Sequence, residues 1–215
     1  MQMNYSDLIE VRDNNIQGET NWHWIKTDKG AFGHETDGPM RDWTDGHSKK
    51  YFTNVKNFGT VITAGANCGM HVRFYAKMFK HVYAFEPDPL SFHCMVLNSQ
   101  FNNVIKFNTA LGKTPGVAHL NVKDKSNVGT HKIDENGTQQ VAVLSIDSLN
   151  VSECDLIQLD VEGYEMDCLL GALETIKKFK PVLILESFGT KNEYLENLGY
   201  KFQDTSFSDS VYIPI

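Results

Sequence analysis

Two groups of residues have the types and spacing for chemistry. The first is Gly65, Gly69 and Glu86, a G-x-x-x-G turn between two apolar runs with a carboxylate 21 positions after its first glycine. An acid about 20 residues beyond such a turn, at the tip of the next strand, suits the hydroxyls of a ribose lying over the turn. The second group is a set of acids that close other apolar runs: Asp160 and Glu162 after DLIQL, and Glu186 after PVLIL. Acids gathered at strand ends can accept a proton from a substrate hydroxyl, or together hold a hard divalent cation.

The glycines let the backbone approach a ligand and tolerate the positive φ of a tight strand-to-helix turn. A dinucleotide fold uses G-x-G-x-x-G, whose middle glycine makes room for a pyrophosphate at the helix N-terminus. Here that position is Asn67, which crowds a pyrophosphate and disfavours NAD. Adenosine carrying an amino-acid arm, as in S-adenosylmethionine (SAM), needs the ribose acid and the close turn but no phosphate nest.

The elements that must position these residues read as βαβ units. A strand over Val61–Ala64, a helix over Met70–Phe79 and a strand over His81–Glu86 form the first. PDPLSFHCMVLNSQF follows as a helix starting at Asp88, with Leu90, Cys94, Leu97 and Phe101 on one face and His93 off it. VIKFNTAL reads as a third strand and Gly112 to Gly116 as a turn. VAHLNV and QQVAVLSI then flank a polar loop with Asn127, Gly129, His131 and Asp134, a hairpin-like excursion that offers His119 and His131 as outlying site candidates. Asp155–Val161 is a strand, and one helix after Gly163 carries Met166, Leu169, Leu170, Leu173 and Ile176 on its apolar stripe. VLILES, the helix-like TKNEYLENLG and the paired runs GYKFQDT and DSVYIPI complete a mostly parallel sheet ending in an antiparallel hairpin. Ligands in open α/β sheets bind beyond the carboxyl ends of the strands. The residues expected there are Thr63, Glu86, Ala110, Asp160 with Glu162, and Glu186.

With 215 residues, the chain has room for one domain plus an appendage. Its 41% hydrophobic and 22% charged content is that of an ordinary globular protein. A net charge of -7 and a pI near 5.6 argue against a nucleic-acid partner, and a small acceptor is easier to accommodate. The four cysteines, Cys68, Cys94, Cys154 and Cys168, form no C-x-x-C pair and read as reduced, buried thiols. The start MQMNYSDLIEVRDNN lacks a signal-peptide pattern, and no run reaches the ~18 apolar residues of a membrane span, so a cytoplasmic protein without a membrane partner is expected. Residues 1–50 differ from the rest and hold Trp22, Trp24 and Trp43, all three tryptophans. They suit either a lid and acceptor wall or a surface arm that packs its tryptophans on the core.

The strings TAGANCG, YAFEPDP, Leu97–Asn98, NTALG, IQLDVEGYEMDCLLGA and PVLILE together resemble the FkbM-type SAM-dependent methyltransferases, over about residues 55–190. The resemblance implies a class I, Rossmann-like domain, placed over 51–215, with seven strands ordered 3-2-1-4-5-7-6, the last antiparallel; residues 1–50 fall outside it and are read as a lid or acceptor-binding appendage. It implies O-methylation of a hydroxyl on a small molecule or sugar. Carried over by position, Gly65, Ala66, Asn67 and Gly69 lie along the methionine arm of SAM. Glu86 with Pro87 holds the ribose, Ala110 with Leu111 borders the adenine, and Asp160 stands where the methyl leaves sulfur. Thr63 departs from the pattern, because the family usually has Asp there. A hydroxyl in place of that charge weakens the hold on the amino-acid end by ~1 kcal/mol.

For a hydroxyl acceptor, Asp160 is the leading general base, with Glu162, Glu186 and a lid histidine, His34 or His47, behind it. In an alternative arrangement Asp160 and Glu186 bind Mg²⁺, which lowers the pKa of the hydroxyl. A SAM-binding module without turnover is the competing functional class.

Overall fold

The computed structural model describes residues 5–12, 20–29, 52–206 and 208–215. From the N-terminal part come β1 (Ile9–Arg12) and β2 (Trp22–Ile25), paired antiparallel. The first half of the main sheet follows as β3 (Thr60–Ala64), α1 (Met70–Tyr75), β4 (His81–Phe85), α2 (Pro89–Asn98) and β5 (Val104–Phe107). A separate four-stranded sheet holds β6 (Ala110–Leu111), β7 (Gly116–Asn121), β8 (Lys132–Ile133) and β9 (Gln139–Leu144). The second half comprises β10 (Leu156–Leu159), α3 (Glu165–Leu170), α4 (Leu173–Phe179), β11 (Val182–Glu186), α5 (Glu193–Asn197), β12 (Tyr200–Ser206) and β13 (Asp209–Pro214).

Strands buried on both faces need continuous apolar runs rather than alternation. β3 and β10 are buried along their whole length and lie side by side at the centre of the seven-stranded sheet. The sheet order is β12-β13-β11-β10-β3-β4-β5. Numbered in chain order, those strands run 3-2-1-4-5-7-6 from one edge, and β13 alone is antiparallel to its neighbours. Chain order reverses between β3 and β10, which places the ligand crevice at their carboxyl ends.

Several elements depart from the sequence reading. The helix expected over Met70–Phe79 ends at Tyr75 and continues as turns. The single helix expected after Gly163 is two. Asp147 accepts hydrogen bonds from the backbone N–H groups of Glu174 and Thr175 and from the Thr175 hydroxyl, capping α4 from outside. At the break, Gly171 packs so closely on Gly112 that a Cβ would lie 2.1 Å from the Gly112 carbonyl oxygen. The third difference is the buried face of α2, which carries Ser91, Cys94, Met95 and Asn98 rather than Leu90, Cys94, Leu97 and Phe101. Asn98 is buried because it joins separate segments: its amide donates to the carbonyls of His23 and Cys68 and accepts from the His23 N–H.

The expected strand VIKFNTAL is also divided, since the chain changes sheets after Phe107. Asn108 pins the crossing by donating to the carbonyls of Glu86 and Pro87. β7 and β9 pair antiparallel as the hairpin-like excursion requires, with β6 and β8 added on either side. All four cysteines are free and buried. Among the described residues no helix is long and apolar enough to cross a membrane.

The turn after β3 is set by backbone against backbone. Gly65 has φ +74, and a Cβ on it would lie 1.6 Å from the carbonyl oxygen of Asp160. Gly69 has φ +88, and its Cβ would lie 2.9 Å from Met95 Cγ. These glycines are required by the strand β10 end and by α2, so the close approach inferred from the sequence is first of all protein on protein. Gly65→Ala should destabilise the fold by ~3 kcal/mol or more through strain and clash together. Urea denaturation measures this, and an unchanged midpoint would mean the two strand ends separate without cost.

Candidate functional site

A cavity of ≈ 350 Å³ opens at the carboxyl ends of β3, β4, β10 and β11, within the size range of small-ligand sites. Gly65, Ala66 and Asn67 form its floor, Phe85, Glu86 and Pro87 one side, and Ala110 with Leu111 a neighbouring apolar slot. Asp160, Glu162 and Glu186 stand at the end beyond β10 and β11, with Ser208 and Asp209. The facing wall comes from residues 127–133 of the second sheet and from Trp24.

Glu86 is 6% exposed. Its Oε2 accepts from the Asn67 N–H at 2.7 Å and its Oε1 from the Asp88 N–H at 2.8 Å. Each carboxylate oxygen has a second lone pair, so the acid braces the turn and still faces the cavity as an acceptor. Burial pushes its pKa up to about 7; the N–H groups of Asp88 and Asn67 and the nearby His131 pull the other way, while the Asp88 charge adds to the rise. Asn67, at φ 47, is in the left-handed region that Asn tolerates, and its Oδ1 accepts from the Cys68 N–H.

The second acidic group is tighter. Asp160, Glu162 and Glu186 each place a carboxylate oxygen within 4.8 Å of the others. Burial raises the Asp160 pKa well above the usual carboxylate range, reinforced by the charge of Glu186, a hydrogen bond with it, and the charges of Asp209 and Glu162. Glu162 is raised as well, by burial and then by Glu186 and Glu165, with Lys132 opposing. Like charges this close cannot all ionise freely, so a proton is retained in the cluster. Such a group can take up a proton, and its oxygen-only donor set also suits a hard divalent cation.

Thr63 lies elsewhere. It is buried, its hydroxyl donates to Gln158 Oε1 at 2.5 Å, and it does not line the cavity. The expectation that Thr63 meets the cofactor is therefore corrected: Gln158, its register partner on β10, takes its hydrogen bond below the cavity floor. Gly69 is likewise withdrawn from the lining and packs on α2. His119 is on the exposed part of β7, away from the cavity. His34 and His47 lie outside the described residues.

Several lining residues escape a reading of strand ends. Thr109 Oγ1 is buried at the cavity without a hydrogen-bond partner, as a ligand-facing hydroxyl would be. Lys132, His131 and Tyr164 also line it. The signal for His131 was its polar loop between two apolar strands; for Thr109, only its place beside Ala110. Trp22 and Trp24 are each 3% exposed, and Trp24 serves both as packed core and as cavity wall. Its Nε1 donates to Asp28 Oδ2 at 2.7 Å, and Asp28 Oδ1 accepts from the Val128 N–H.

An open sheet in this order, with acids at the ends of β4, β10 and β11 around one crevice, defines a Rossmann-like architecture. The family model described as Methyltransferase FkbM domain matches residues 64–202, and the chain belongs to this FkbM methyltransferase family. Hexuronic acid methyltransferase AglP of Haloferax volcanii is 27% identical over 126 residues, 56% of this chain and 52% of that protein. The chain thus spans about half the length of this curated relative. The crystal structure of an FkbM methyltransferase from Methylobacillus flagellatus KT superposes with a TM-score of 0.54 at 17% identity, over 73% of this chain and 44% of that one, a likeness of fold.

Because Thr63 is sealed against Gln158, Thr63→Asp places a carboxylate beside an amide oxygen with no cation at hand. The expected result is a loss of ~2 to 4 kcal/mol of stability with no gain in cofactor affinity. Denaturation and calorimetry on the same variant test both parts, and tighter SAM binding in a stable variant would contradict the placement.

Proposed function

We propose that the chain transfers the methyl group of SAM to a hydroxyl oxygen of a small molecule or sugar. The observation that carries this reading is one cavity with a buried ribose-type acid, Glu86, at one end and the Asp160–Glu162–Glu186 group at the other. The cavity suits SAM in its chemistry: Glu86 offers acceptor lone pairs, the orphaned Thr109 hydroxyl and the slot of Phe85, Ala110 and Leu111 suit a purine, and no nest for a pyrophosphate is present among the described residues. In this reading Glu86 with Pro87 holds the ribose, Thr109, Ala110 and Leu111 the adenine, and Gly65, Ala66 and Asn67 the amino-acid arm.

When bound, SAM supplies a methyl group on a sulfonium, already activated for displacement. What remains for the chain is to orient the acceptor and to remove its proton. Asp160 is placed for the second task. Its raised pKa makes it a better proton acceptor than an exposed carboxylate, and Glu186 beside it can share the proton once taken. Glu162 and Lys132 border the same end and suit acceptor hydroxyls. Trp24 supports a part for the N-terminal appendage, residues 1–50, in the acceptor wall. The printed name of the Haloferax relative supports a sugar-type acceptor. A divalent cation held by the three carboxylates is the second reading, favoured by their mutual closeness.

Asp160→Asn keeps size and removes proton acceptance. Turnover should fall ~10²-fold or more with SAM affinity nearly unchanged, by steady-state kinetics paired with calorimetry. Because a raised pKa holds Asp160 protonated at low pH, the rate should climb with pH through a value above the ordinary carboxylate range. Loss of activity on chelation, restored by Mg²⁺, assigns the cation reading; indifference assigns the general base. SAM binding with no methyl transfer to any hydroxyl acceptor pool would favour a binding module instead.

A further inference from the structure

His131, just before β8 of the second sheet, reaches into the charge balance of the ribose end. Its Nδ1 is 2.7 Å from Asp88 Oδ2 and its Nε2 is 2.9 Å from the Asp124 carbonyl oxygen. A carbonyl only accepts, and so does an ionised carboxylate. Both ring nitrogens must therefore donate, which makes the ring an imidazolium. Asp88 is itself fixed, because its Oδ1 caps α2 through the N–H groups of Leu90 and Ser91 and its own N–H donates to Glu86 Oε1. Glu86, Asp88 and His131 thus form one chain of contacts, with the cation at its outer end and the cavity at its inner end.

We propose that His131 is a positioning residue for the cofactor: held as a cation between Asp88 and the Asp124 carbonyl, it keeps the Glu86 carboxylate ionised and so sets the affinity for a ribose-bearing ligand. This rests on the SAM reading above. Alone, Asp88 beside Glu86 would push a buried carboxylate toward its neutral form, which is a poorer acceptor for two hydroxyl donors. The cation acts against that rise. The groups facing His131 are Asp88, Glu86 and Asp124, and those facing Glu86 are Asp88, His131 and the buried Cys68 thiol. Burial works against the imidazolium, but the bonds to Asp88 and Asp124 and the charges of Asp88 and Glu86 outweigh it and raise its pKa. In Asp88, burial is outweighed by the His131 bond and the α2 N–H groups, and its pKa is lowered.

The signs follow directly. Ligand binding prefers ionised Glu86, so affinity is lost as pH falls through about 7. It also needs the cation, so affinity is lost again as pH rises through the raised pKa of His131. Two measurements on the full chain test this. In the first, without ligand, NMR titration of the Glu86 carboxyl compares the native chain with His131→Gln. The expected result is a rise of about one pKa unit in the variant, and an unchanged value overturns the proposal. In the second, calorimetry with S-adenosylhomocysteine from about pH 5.5 to about pH 9 should give a bell in the native chain. His131→Gln should bind several-fold more weakly near neutrality, lack the alkaline decline and show its acid limb at higher pH. Asp88→Asn, which retains a cap on α2, should move the alkaline limb to lower pH. A uniform loss with the native pH shape would mark His131 as merely structural and overturn the proposal. If the native chain binds no S-adenosylhomocysteine at any pH while the Glu86 titration shifts as stated, the cofactor reading fails and the charge coupling stands.

Discussion

The backbone of Gly65 lies against the carbonyl of Asp160, closer than any side chain would permit, and the geometry of the site depends on that contact. It brings the β3 turn and the β10 end into one crevice. The acid after β4 then faces the cavity from one side and the acid after β10 from the other. The bond from the Asp160 N–H to the Ala64 carbonyl continues the parallel ladder up to this point, so the chains diverge only where the cavity starts. A wider separation would place the two acids around different voids.

Both ends of the cavity concentrate negative charge, and the fold compensates them differently. At Glu86 the compensation is fixed: two backbone N–H groups, and His131 held by the Asp88 helix cap. At Asp160 it is mobile, a proton retained among carboxylates with Lys132 nearby. Fixed donors favour the anion over its neutral form, which suits holding a ligand. A retained proton suits exchange with an acceptor. Under the proposed methyl transfer, the electrostatic difference between the two ends parallels the division between binding and chemistry.

Much of this was legible in the sequence, where the signal was local. Buried central strands announce themselves as unbroken apolar runs, and Gly65, Glu86, Asp160 and Glu186 follow from position at their ends. Residues whose environment is made by distant segments were not legible. Asn98 reads as a polar surface residue until β2 covers it, and for that reason the buried face of α2 was misjudged. Thr63 occupies a strand end, yet its partner is Gln158 on the neighbouring strand, a pairing that only the register reveals. The break between α3 and α4 arises from Asp147, far away in the chain. His131 could be flagged only by composition, because its role depends on how the second sheet lies against α2.

β2 and the residues after it lie before the stretch that matches the family model, yet they are built into the site. Asn98 ties His23 to the Cys68 carbonyl, Trp24 walls the cavity, and Asp28 holds Trp24 and the Val128 backbone together. A fragment cut at the limits of the matched stretch would contain Glu86, Asp160, Glu162 and Glu186 but would lose Trp24 from the wall it shares with residues 127–133, and with Asp28 the bond that holds the Val128 backbone there. The stretch that the family model matches is therefore smaller than the set of residues that encloses the cavity. The difference, Trp24 with Asp28 behind it, belongs to the wall that faces the strand ends.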